Sequence, residues 1–373
     1  MILKKLSVLN YRNIAEADIS PSSKINCLIG QNGEGKTNLL DAIHFLSFAK
    51  STACSIDSLN IRHGQDVMMV QGIYDLNGTE EDISVGLKAH QKKHVRRNKK
   101  EYKRLSEHIG LLPLVMVSPN DTELILGGSD QRRKFMDVVI SQYDREYITA
   151  LTAYNKALMQ RNTMLKADEE PNLDILCVYE EMMATYGEKI YRKRAAFVEE
   201  FIPVFQQIHE SITAEGEQVS LRYISHAQRG DLLDIIQVGR PKDRIMGYSL
   251  HGIHKDDLEM CLSGFPIKQE GSQGQNKTYL IALRLAQFNF LKHTGSQTTP
   301  IILLDDIFDK LDATRMENII RLLSQPDFGQ IFITDTNREN LDQILERADG
   351  EFKIFNVKAG VIVSSSPSIG ENN

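Results

Sequence analysis

The chain has 373 residues and a mass of 42.3 kDa, with 41% hydrophobic and 25% charged residues and a formal net charge of −6. These values are typical of a globular protein of one or two domains, and no apolar run approaches the roughly 18 residues of a membrane span. The four cysteines form no C-x-x-C pair, so the sequence indicates neither a zinc site nor a disulfide framework and favours the reducing cytoplasm.

The N-terminal segment predicts strands that lead into a phosphate-binding loop. Its first residues alternate as in a strand and are polar where a signal peptide needs an apolar stretch, so we expect no export. An apolar run then ends in glycine, and a helix with apolar residues at three-to-four spacing follows. Between them stand Gly30, Gln31, Asn32, Gly33, Glu34, Gly35, Lys36, Thr37 and Asn38, which contain the pattern G-x-x-x-x-G-K-[ST].

Each residue type in this loop has a physical reason. Glycines let backbone N–H groups approach phosphate oxygens, and the start of a helix adds a favourable partial charge. We expect Lys36 to neutralise the outer phosphate oxygens and the Thr37 hydroxyl to reach magnesium. The loop therefore predicts a bound phosphate group, although such loops occur in kinases, switches, transporters and DNA-processing proteins alike.

Residues 88–104 concentrate basic side chains against a single acid, Glu101. Alternation around Val95 and Tyr102, with a turn near residues 98–99, predicts a β-hairpin. The run is interpreted either as a solvated face or as a surface that contacts DNA phosphates without reading bases, since the sequence shows no groove-reading helix and no regular alternation of aromatic residues with the charges. The candidate DNA contacts are Lys92, Lys93, Arg96, Arg97, Lys99 and Lys100.

Residues from about 130 to 215 have a helical period of apolar and aromatic residues, which predicts an inserted helical arm. The alternative is a packed helical subdomain without a site of its own. Pro203 is expected to kink or end a helix. In the later segment "HGIHKDDLE", we expect structural hydrogen bonds rather than a metal site.

The last third of the chain alternates strands and helices and carries two further candidate elements. Ser272, Gln273 and Gly274 precede an amphipathic helix, whose start would be a second anion site that completes the first site of a partner copy. The apolar strand "IILLDDIF" ends in carboxylates, as expected for an acid that orients magnesium beside a phosphate loop. We assign Asp305 to the metal shell and Asp306 as the base that polarises attacking water.

Several segments occur in a characteristic order: "LNYRNI", "GQNGEGKTN", "VSPNDTELILGGSDQRRKFMD", "YNKALMQRN", "HGIHKDDLE", "GSQGQNKT" and "LLDDIFDKLD". Together they span nearly the whole chain and resemble the RecF family, bacterial recombination-mediator ATPases of the ABC and SMC superfamily. The most specific pieces are residues 132–137, the triplet at 160–162, and the Ser-Gln-Gly-Gln signature followed about thirty residues later by the paired aspartates.

The resemblance implies an α/β fold, an ABC-type ATPase head with a phosphate loop, a mixed sheet and a β-rich N-terminal part, and an inserted α-helical arm. It implies that residues 1–125 and 219–373 form the head and that residues 126–218 form the arm. It further implies that ATP and Mg²⁺ lie between the phosphate loop of one copy and residues 272–274 of another, so that ATP closes a homodimer. Arg12 and Asn13 stand at positions that approach the nucleotide in similar heads.

The resemblance also implies binding partners and a slow rate of ATP hydrolysis. The family binds double-stranded and gapped DNA in an ATP-dependent way and works with RecR and RecO to load RecA. Asp306 replaces the glutamate of general ABC heads, and Asp335 stands where many have a histidine. From these differences we infer a weak, DNA-stimulated ATPase that acts as a switch.

Two other classes of protein stay open. A nucleotide or small-molecule kinase uses the same loop, but it leaves residues 272–275 and the helical insert unexplained. A transporter-type ATPase subunit should show a Leu-Ser-Gly-Gly-Gln signature and a switch histidine, and this sequence has neither. A long-armed SMC protein is excluded because the insert is too short for an extended coiled coil.

Overall fold

The structure is a computed structural model that describes residues 1–54, 56–213, 217–294, 298–308, 311–325, 328–336 and 351–365. Its strands are β1 (Ile2–Tyr11), β2 (Ile14–Ile19), β3 (Ile25–Ile29), β4 (Val67–Leu76), β5 (Thr79–Lys88), β6 (His94–Arg97), β7 (Lys100–Glu101), β8 (Leu114–Val117), β9 (Val219–Ile224), β10 (Asp257–Leu262), β11 (Phe265–Pro266), β12 (Ile301–Asp305), β13 (Ile331–Asp335), β14 (Phe352–Lys358) and β15 (Val361–Ser365). Its α-helices are α1 (Lys36–Phe48), α2 (Thr122–Leu126), α3 (Ser129–Ser141), α4 (Arg145–Lys166), α5 (Leu173–Ile212), α6 (Leu232–Val238), α7 (Arg240–Met246), α8 (Ile267–Glu270), α9 (Gln273–His293) and α10 (Ala313–Leu323). Within these described ranges, no helix combines the length and the apolar character that crossing a membrane requires.

The contacts divide the chain into two units. The first contains Met1–Asp121, Ser211–Thr213 and Leu280–Asn373, and the second contains Thr122–Glu210 and Ala214–Tyr279. The division into 1–125, 126–218 and 219–373 stays a prediction about domains, whereas the contacts group residues 219–279 with the helices. The reason is that β9, β10 and β11 pair with one another and that β10 packs against α3.

The first unit contains two six-stranded sheets, and α1 contacts strands of both. One sheet has the order β2-β1-β4-β5-β6-β7 with antiparallel neighbours. The other has the order β15-β14-β3-β13-β12-β8, in which β14, β3, β13, β12 and β8 are parallel and β15 is antiparallel to β14. The predicted α/β fold with a mixed sheet and a β-rich N-terminal part is confirmed.

The central strands of the mixed sheet position the candidate site. All side chains of β12 and β13 are buried, as expected for parallel strands that are covered on both faces. Because β3, β13 and β12 are parallel neighbours, the loops that follow them lie at the same edge of the sheet. The phosphate loop and the paired aspartates therefore meet at one edge, with the end of β13 between them.

The second unit is mainly helical. The helix α5 has 40 residues and contains Pro203 in its interior, so the helix does not end at this proline. Phe197, Phe201 and Phe205 of α5 are buried, and their spacing of four residues places them on one face of the helix. The predicted helical period of this region is confirmed.

Buried ion pairs connect the helices of this unit. Arg161 is fully buried and donates to the carboxylates of Glu180 at 2.9 Å and Asp243 at 2.7 Å. Arg194 pairs with Asp137 and with Asp256 of the "HGIHKDDLE" segment, both at 2.8 Å. Removing one partner of a buried pair is costly because it leaves an uncompensated charge. These motif residues are therefore explained by folding, and the structural hydrogen bonds expected for "HGIHKDDLE" are present.

Candidate functional site

The phosphate loop joins β3 to α1 in a conformation that depends on glycine. Gly35 is the N-cap residue of α1, has φ 113°, and has no side chain with which to cap the helix. A Cβ atom at this position would lie 2.8 Å from the side-chain amide of Asn13. The loop residues Gln31, Asn32 and Gly33 are exposed to solvent. The start of α1 thus presents uncapped N–H groups, which is the arrangement that binds anions.

Lys36 is held inside the curve of this loop. Its ammonium group donates to the backbone carbonyls of Gly30 at 2.8 Å and Gln31 at 3.2 Å. The residue is only 4% exposed, and yet the structure gives it carbonyl partners rather than a carboxylate at these distances. Because these two partners are neutral carbonyls, an anionic ligand would be the group that pairs with the Lys36 ammonium.

The Thr37 hydroxyl and Asp305 join the first and last parts of the site. Thr37 Oγ1 donates to the Asp305 carboxylate, with distances of 2.9 Å to Oδ1 and 3.0 Å to Oδ2, across 268 positions of sequence. Asp305 is the last residue of β12 and is 3% exposed. A hydroxyl and a carboxylate are the hard oxygen ligands that Mg²⁺ prefers, and Mg²⁺ in nucleotide sites completes its shell with waters and phosphates. Within the described ranges, no cluster of three or more His, Cys, Asp or Glu residues could hold a metal.

The sequence reading missed Thr334, which connects the two aspartates. Its hydroxyl donates to Asp305 Oδ1 at 2.8 Å and accepts the backbone N–H of Asp306 at 3.0 Å. Asp306 has a left-handed backbone with φ 46°, a conformation that its neighbours must hold in place. The sequence signal for Thr334 is the polar "TDT" at the end of the apolar strand β13, which also contains Asp335.

Asn13 contacts the phosphate loop. Its Nδ2 atom donates to the carbonyl of Gly33 at 3.4 Å, and its Oδ1 atom accepts from the Asn38 amide at 2.7 Å. Asn13 thus connects the crest of the loop to the first turn of α1. Its role toward a nucleotide stays a prediction.

Arg12 lies against α1 rather than against the crest of the loop. Its guanidinium donates to Ser51 Oγ at 2.9 Å and to Asn60 Oδ1 at 3.2 Å, and it lies 3.3 Å from the Asp41 carboxylate. It also reaches Asn38 Oδ1 at 3.5 Å. The Arg12 guanidinium therefore has several partners within the chain, and a contact with a nucleotide stays a prediction.

Burial raises the pKa of Asp305 above its ordinary value, hydrogen bonds from Thr334 and Thr37 oppose the rise, and the neighbouring Asp306 adds to it. A carboxyl with a raised pKa in the folded state destabilises the fold as pH increases from its ordinary pKa through the folded-state pKa. At neutral pH we therefore expect Asp305→Asn to raise the unfolding free energy of the nucleotide-free protein by roughly 0.5–2 kcal/mol. Substitutions at functional sites often stabilise a protein in this way while they reduce its activity.

Thermal unfolding of both proteins as a function of pH checks this expectation, since the gain should grow as pH rises from the ordinary pKa of the carboxyl to its raised folded-state pKa and should be constant above it. The exposed Asp66 provides a matched control, because Asp66→Asn should leave stability within about 0.5 kcal/mol. A lower stability of Asp305→Asn at every pH would contradict the expectation.

The signature residues begin the helix α9. Ser272 and Gln275 form a reciprocal pair, in which the backbone N–H of Ser272 donates to Gln275 Oε1 at 2.9 Å and the backbone N–H of Gln275 donates to Ser272 Oγ at 3.2 Å. Such a capping box fixes the start of a helix. Ser272 and Gln273 are exposed, and Gly274 is partly exposed. The segment is thus an ordered, accessible helix N-terminus.

The basic hairpin is present as predicted. The strands β6 and β7 pair through a turn at Asn98 and Lys99, whose φ angles are 51° and 67°. Lys93 is directed inward, where its ammonium contacts the Ala49 carbonyl at 2.6 Å and Asp57 at 2.9 Å. Arg97 makes a two-pronged ion pair with Glu81. The remaining candidates Lys92, Arg96, Lys99 and Lys100 are exposed.

Comparisons with known proteins agree over nearly the full chain. The family model described as "RecF/RecN/SMC N terminal domain" matches residues 2–363. A protein of Bacteroides fragilis named "DNA replication and repair protein RecF" is 60% identical over 363 residues, covering 97% of this chain and 98% of the relative. A protein of the same name from Parabacteroides distasonis is 55% identical over 362 residues, covering 97% and 99%.

Solved structures extend the likeness to the fold. The structure titled "Structure of the recombination mediator protein RecF-ATP in RecFOR pathway" is 27% identical, covers 98% of each chain and has a TM-score of 0.87. An Smc head bound to the C-terminal winged-helix domain of ScpA, 16% identical with a TM-score of 0.59, shares the fold alone. These likenesses favour the ABC-type ATPase head over the kinase alternative. The chain belongs to the RecF family of DNA replication and repair proteins.

Proposed function

We propose that this protein is an ATP-gated, DNA-binding dimer that acts as a mediator in DNA repair. ATP held between two copies closes the dimer, the closed dimer binds double-stranded or gapped DNA without sequence specificity, and slow hydrolysis resets it. Together with RecO and RecR it promotes the loading of RecA. The observation that carries the proposal is the contact of Thr37 with Asp305, which joins a phosphate loop to an acid at one sheet edge.

The first half of the nucleotide site consists of loop and sheet residues of one copy. The backbone of residues 30–35 and the start of α1 bind the phosphates, and Lys36 neutralises their charge. Thr37 Oγ1 and Asp305 would hold Mg²⁺, Asp305 through water. Bound MgATP supplies the phosphoanhydride bond that is hydrolysed. Its negatively charged phosphates are the group that both copies contact. Asp306 accepts the proton of the attacking water, while Thr334 fixes its backbone.

The second half of the site is the exposed helix start at Ser272 of the other copy. Its capping box orders the segment before any partner binds, so a second copy need not fold it on binding. The likeness to a RecF structure solved with ATP supports ATP as the nucleotide of this site. The short side chain of Asp306 is the reason for a weak, DNA-stimulated turnover that suits a switch.

The basic hairpin is the proposed DNA contact. Lys92, Arg96, Lys99 and Lys100 are exposed to solvent. Such contacts bind phosphates of any sequence. Because Lys93 and Arg97 are paired within the chain, we propose the other four as the contacts.

Replacing these four residues with alanine should weaken ATP-dependent binding to a gapped duplex and reduce the steepness of its salt dependence. Each lost phosphate contact lowers the slope of log affinity against log salt by about 0.9, so the slope should fall by roughly 2–4 per copy. The measurement is fluorescence anisotropy of a labelled gapped duplex with ATP and Mg²⁺ over a series of salt concentrations.

The control removes the same charge from the second unit, at exposed positions Lys156, Lys189, Arg192 and Arg229. This variant should retain the wild-type slope. An unchanged slope in the hairpin variant would exclude the hairpin as the DNA contact, and DNA binding that is equal with and without ATP would contradict the gating.

A further inference from the structure

The turn between β14 and β15 contacts the crest of the phosphate loop. Lys358 pairs with Val361, which leaves Ala359 and Gly360 as the turn. The backbone N–H of Ala359 donates to the carboxylate of Glu34, and the backbone N–H of Gly360 donates to the Glu34 carbonyl oxygen at 2.8 Å. One turn near the C-terminus thus binds both the side chain and the backbone of one loop residue. We refer to Glu34, Ala359 and Gly360 as the hairpin clasp.

The clasp is closely packed. Gly360 has φ 77°, and a Cβ atom on it would clash with the backbone carbonyl oxygen of Asn13. Asn13 contacts the loop in turn, through Gly33 and Asn38. The crest of the phosphate loop is therefore connected to two chain segments outside the loop, one at Asn13 and one at the turn between β14 and β15.

The charge of Glu34 needs an explanation. A carboxylate in a loop that binds a triphosphate repels the ligand if it points toward the phosphates. Glu34 is partly buried, and its carboxylate accepts the N–H of Ala359 instead. A hydrogen bond to an ionised acceptor is stronger than a neutral one, so the charge of Glu34 strengthens the contact with the turn.

We propose that Glu34 is a positioning residue whose contacts with the β14–β15 turn hold the phosphate loop in its nucleotide-binding shape. The proposal rests on the proposed ATP binding. The loop is a short segment with exposed residues at 31–33, and segments of this kind open locally at low cost unless they are tied down. The β14–β15 turn supplies that restraint from outside the loop.

Two substitutions of Glu34 separate the effect of its hydrogen bond with Ala359 from the effect of its negative charge. Glu34→Gln and Glu34→Ala both remove the negative charge, but glutamine keeps an oxygen that accepts from Ala359. In the nucleotide-free protein, amide hydrogen exchange over residues 30–36 should be about 5- to 10-fold faster in Glu34→Ala than in Glu34→Gln, as expected for one lost hydrogen bond. The ATP dissociation constant should be weaker in Glu34→Ala by a similar factor of about 5–10.

Val363→Thr, an exposed position of the same hairpin, is the matched control and should equal wild type in both measurements. Gly360→Ala, which pushes the turn away from Asn13, should accelerate loop exchange without altering Glu34. Equal exchange or equal ATP affinity in Glu34→Ala and Glu34→Gln would overturn the positioning role. Failure of the wild-type protein to bind ATP would instead overturn the proposed function, and the exchange measurement would still decide whether the clasp restrains the loop.

Discussion

Replacing Lys36 with alanine is expected to weaken ATP binding by at least about 100-fold, which corresponds to about 2.8 kcal/mol. The Lys36 ammonium is buried in the loop and bonded to the Gly30 and Gln31 carbonyls, so it provides a fixed positive charge where phosphates would bind. Two or more charge-assisted hydrogen bonds of about 1.5–3 kcal/mol each are lost with it. ATP-dependent dimerisation and DNA retention should be lost with the nucleotide.

Titration with a fluorescent ATP analogue measures this effect. The exposed Lys50, which follows the same helix, provides the control, because Lys50→Ala removes a charge without changing the loop. Thermal unfolding should show that both variants are folded. A Lys36→Ala protein that binds ATP within a few-fold of wild type would mean that the loop is not the nucleotide site.

Replacing Asp306 with asparagine is expected to slow ATP hydrolysis by about 10²- to 10⁴-fold, the range in which a general base contributes. Asparagine cannot accept the proton of the attacking water, but its backbone N–H can still bond to Thr334. ATP binding should therefore persist, and the ATP-bound dimer should last longer than that of wild type. Single-turnover hydrolysis and the lifetime of the dimer after dilution measure the two effects.

Asp66→Asn, at an exposed position outside the site, should leave both quantities unchanged. An Asp306→Asn protein with wild-type turnover would remove Asp306 as the base. A variant that also loses ATP binding would assign Asp306 to nucleotide binding rather than to proton transfer.

The phosphate loop can be predicted from the sequence because its functional residues are close together in the chain. The phosphate loop needs glycine, lysine and threonine at fixed spacing, and one short stretch supplies them. The meeting of Thr37 with Asp305 is also predictable, because β3 leads into the phosphate loop, β12 ends at Asp305, and both strand ends lie at one edge of a parallel sheet. The RecF resemblance led to the expected ABC-type head with a mixed sheet, but it did not predict the order of the strands.

Contacts that depend on side-chain direction were not predictable. Lys93 and Arg97 belong to the same basic run as Lys99, but the pleat and the nearby acids Asp57 and Glu81 direct them into ion pairs. The clasp at Glu34 joins positions 325 residues apart through backbone N–H groups, which carry no residue-specific signal. Thr334 was overlooked for a similar reason, since its partner Asp305 lies on the neighbouring strand.

The extent of the long helices and the pairing of distant strands could be predicted from the sequence only in part. The helical period of residues 130–215 predicts helices, but it does not show that α5 passes through Pro203, a proline that the helix accommodates in its interior. Residues 219–279 look like strands of the head, yet β9, β10 and β11 form their own sheet with antiparallel pairs. Strand pairing of this kind depends on register and not on local apolar content.

The central claim is that ATP joins two copies of this chain, with the loop of one copy and Ser272 of the other forming each nucleotide site. Sedimentation equilibrium with and without ATP and Mg²⁺, on wild-type and Ser272→Arg protein, tests it most directly. We predict a 42.3 kDa monomer without ATP, twice that mass with ATP for wild type, and a monomer that still binds ATP for Ser272→Arg. A wild-type protein that stays monomeric at saturating ATP, or a Ser272→Arg protein that dimerises as wild type does, would contradict it.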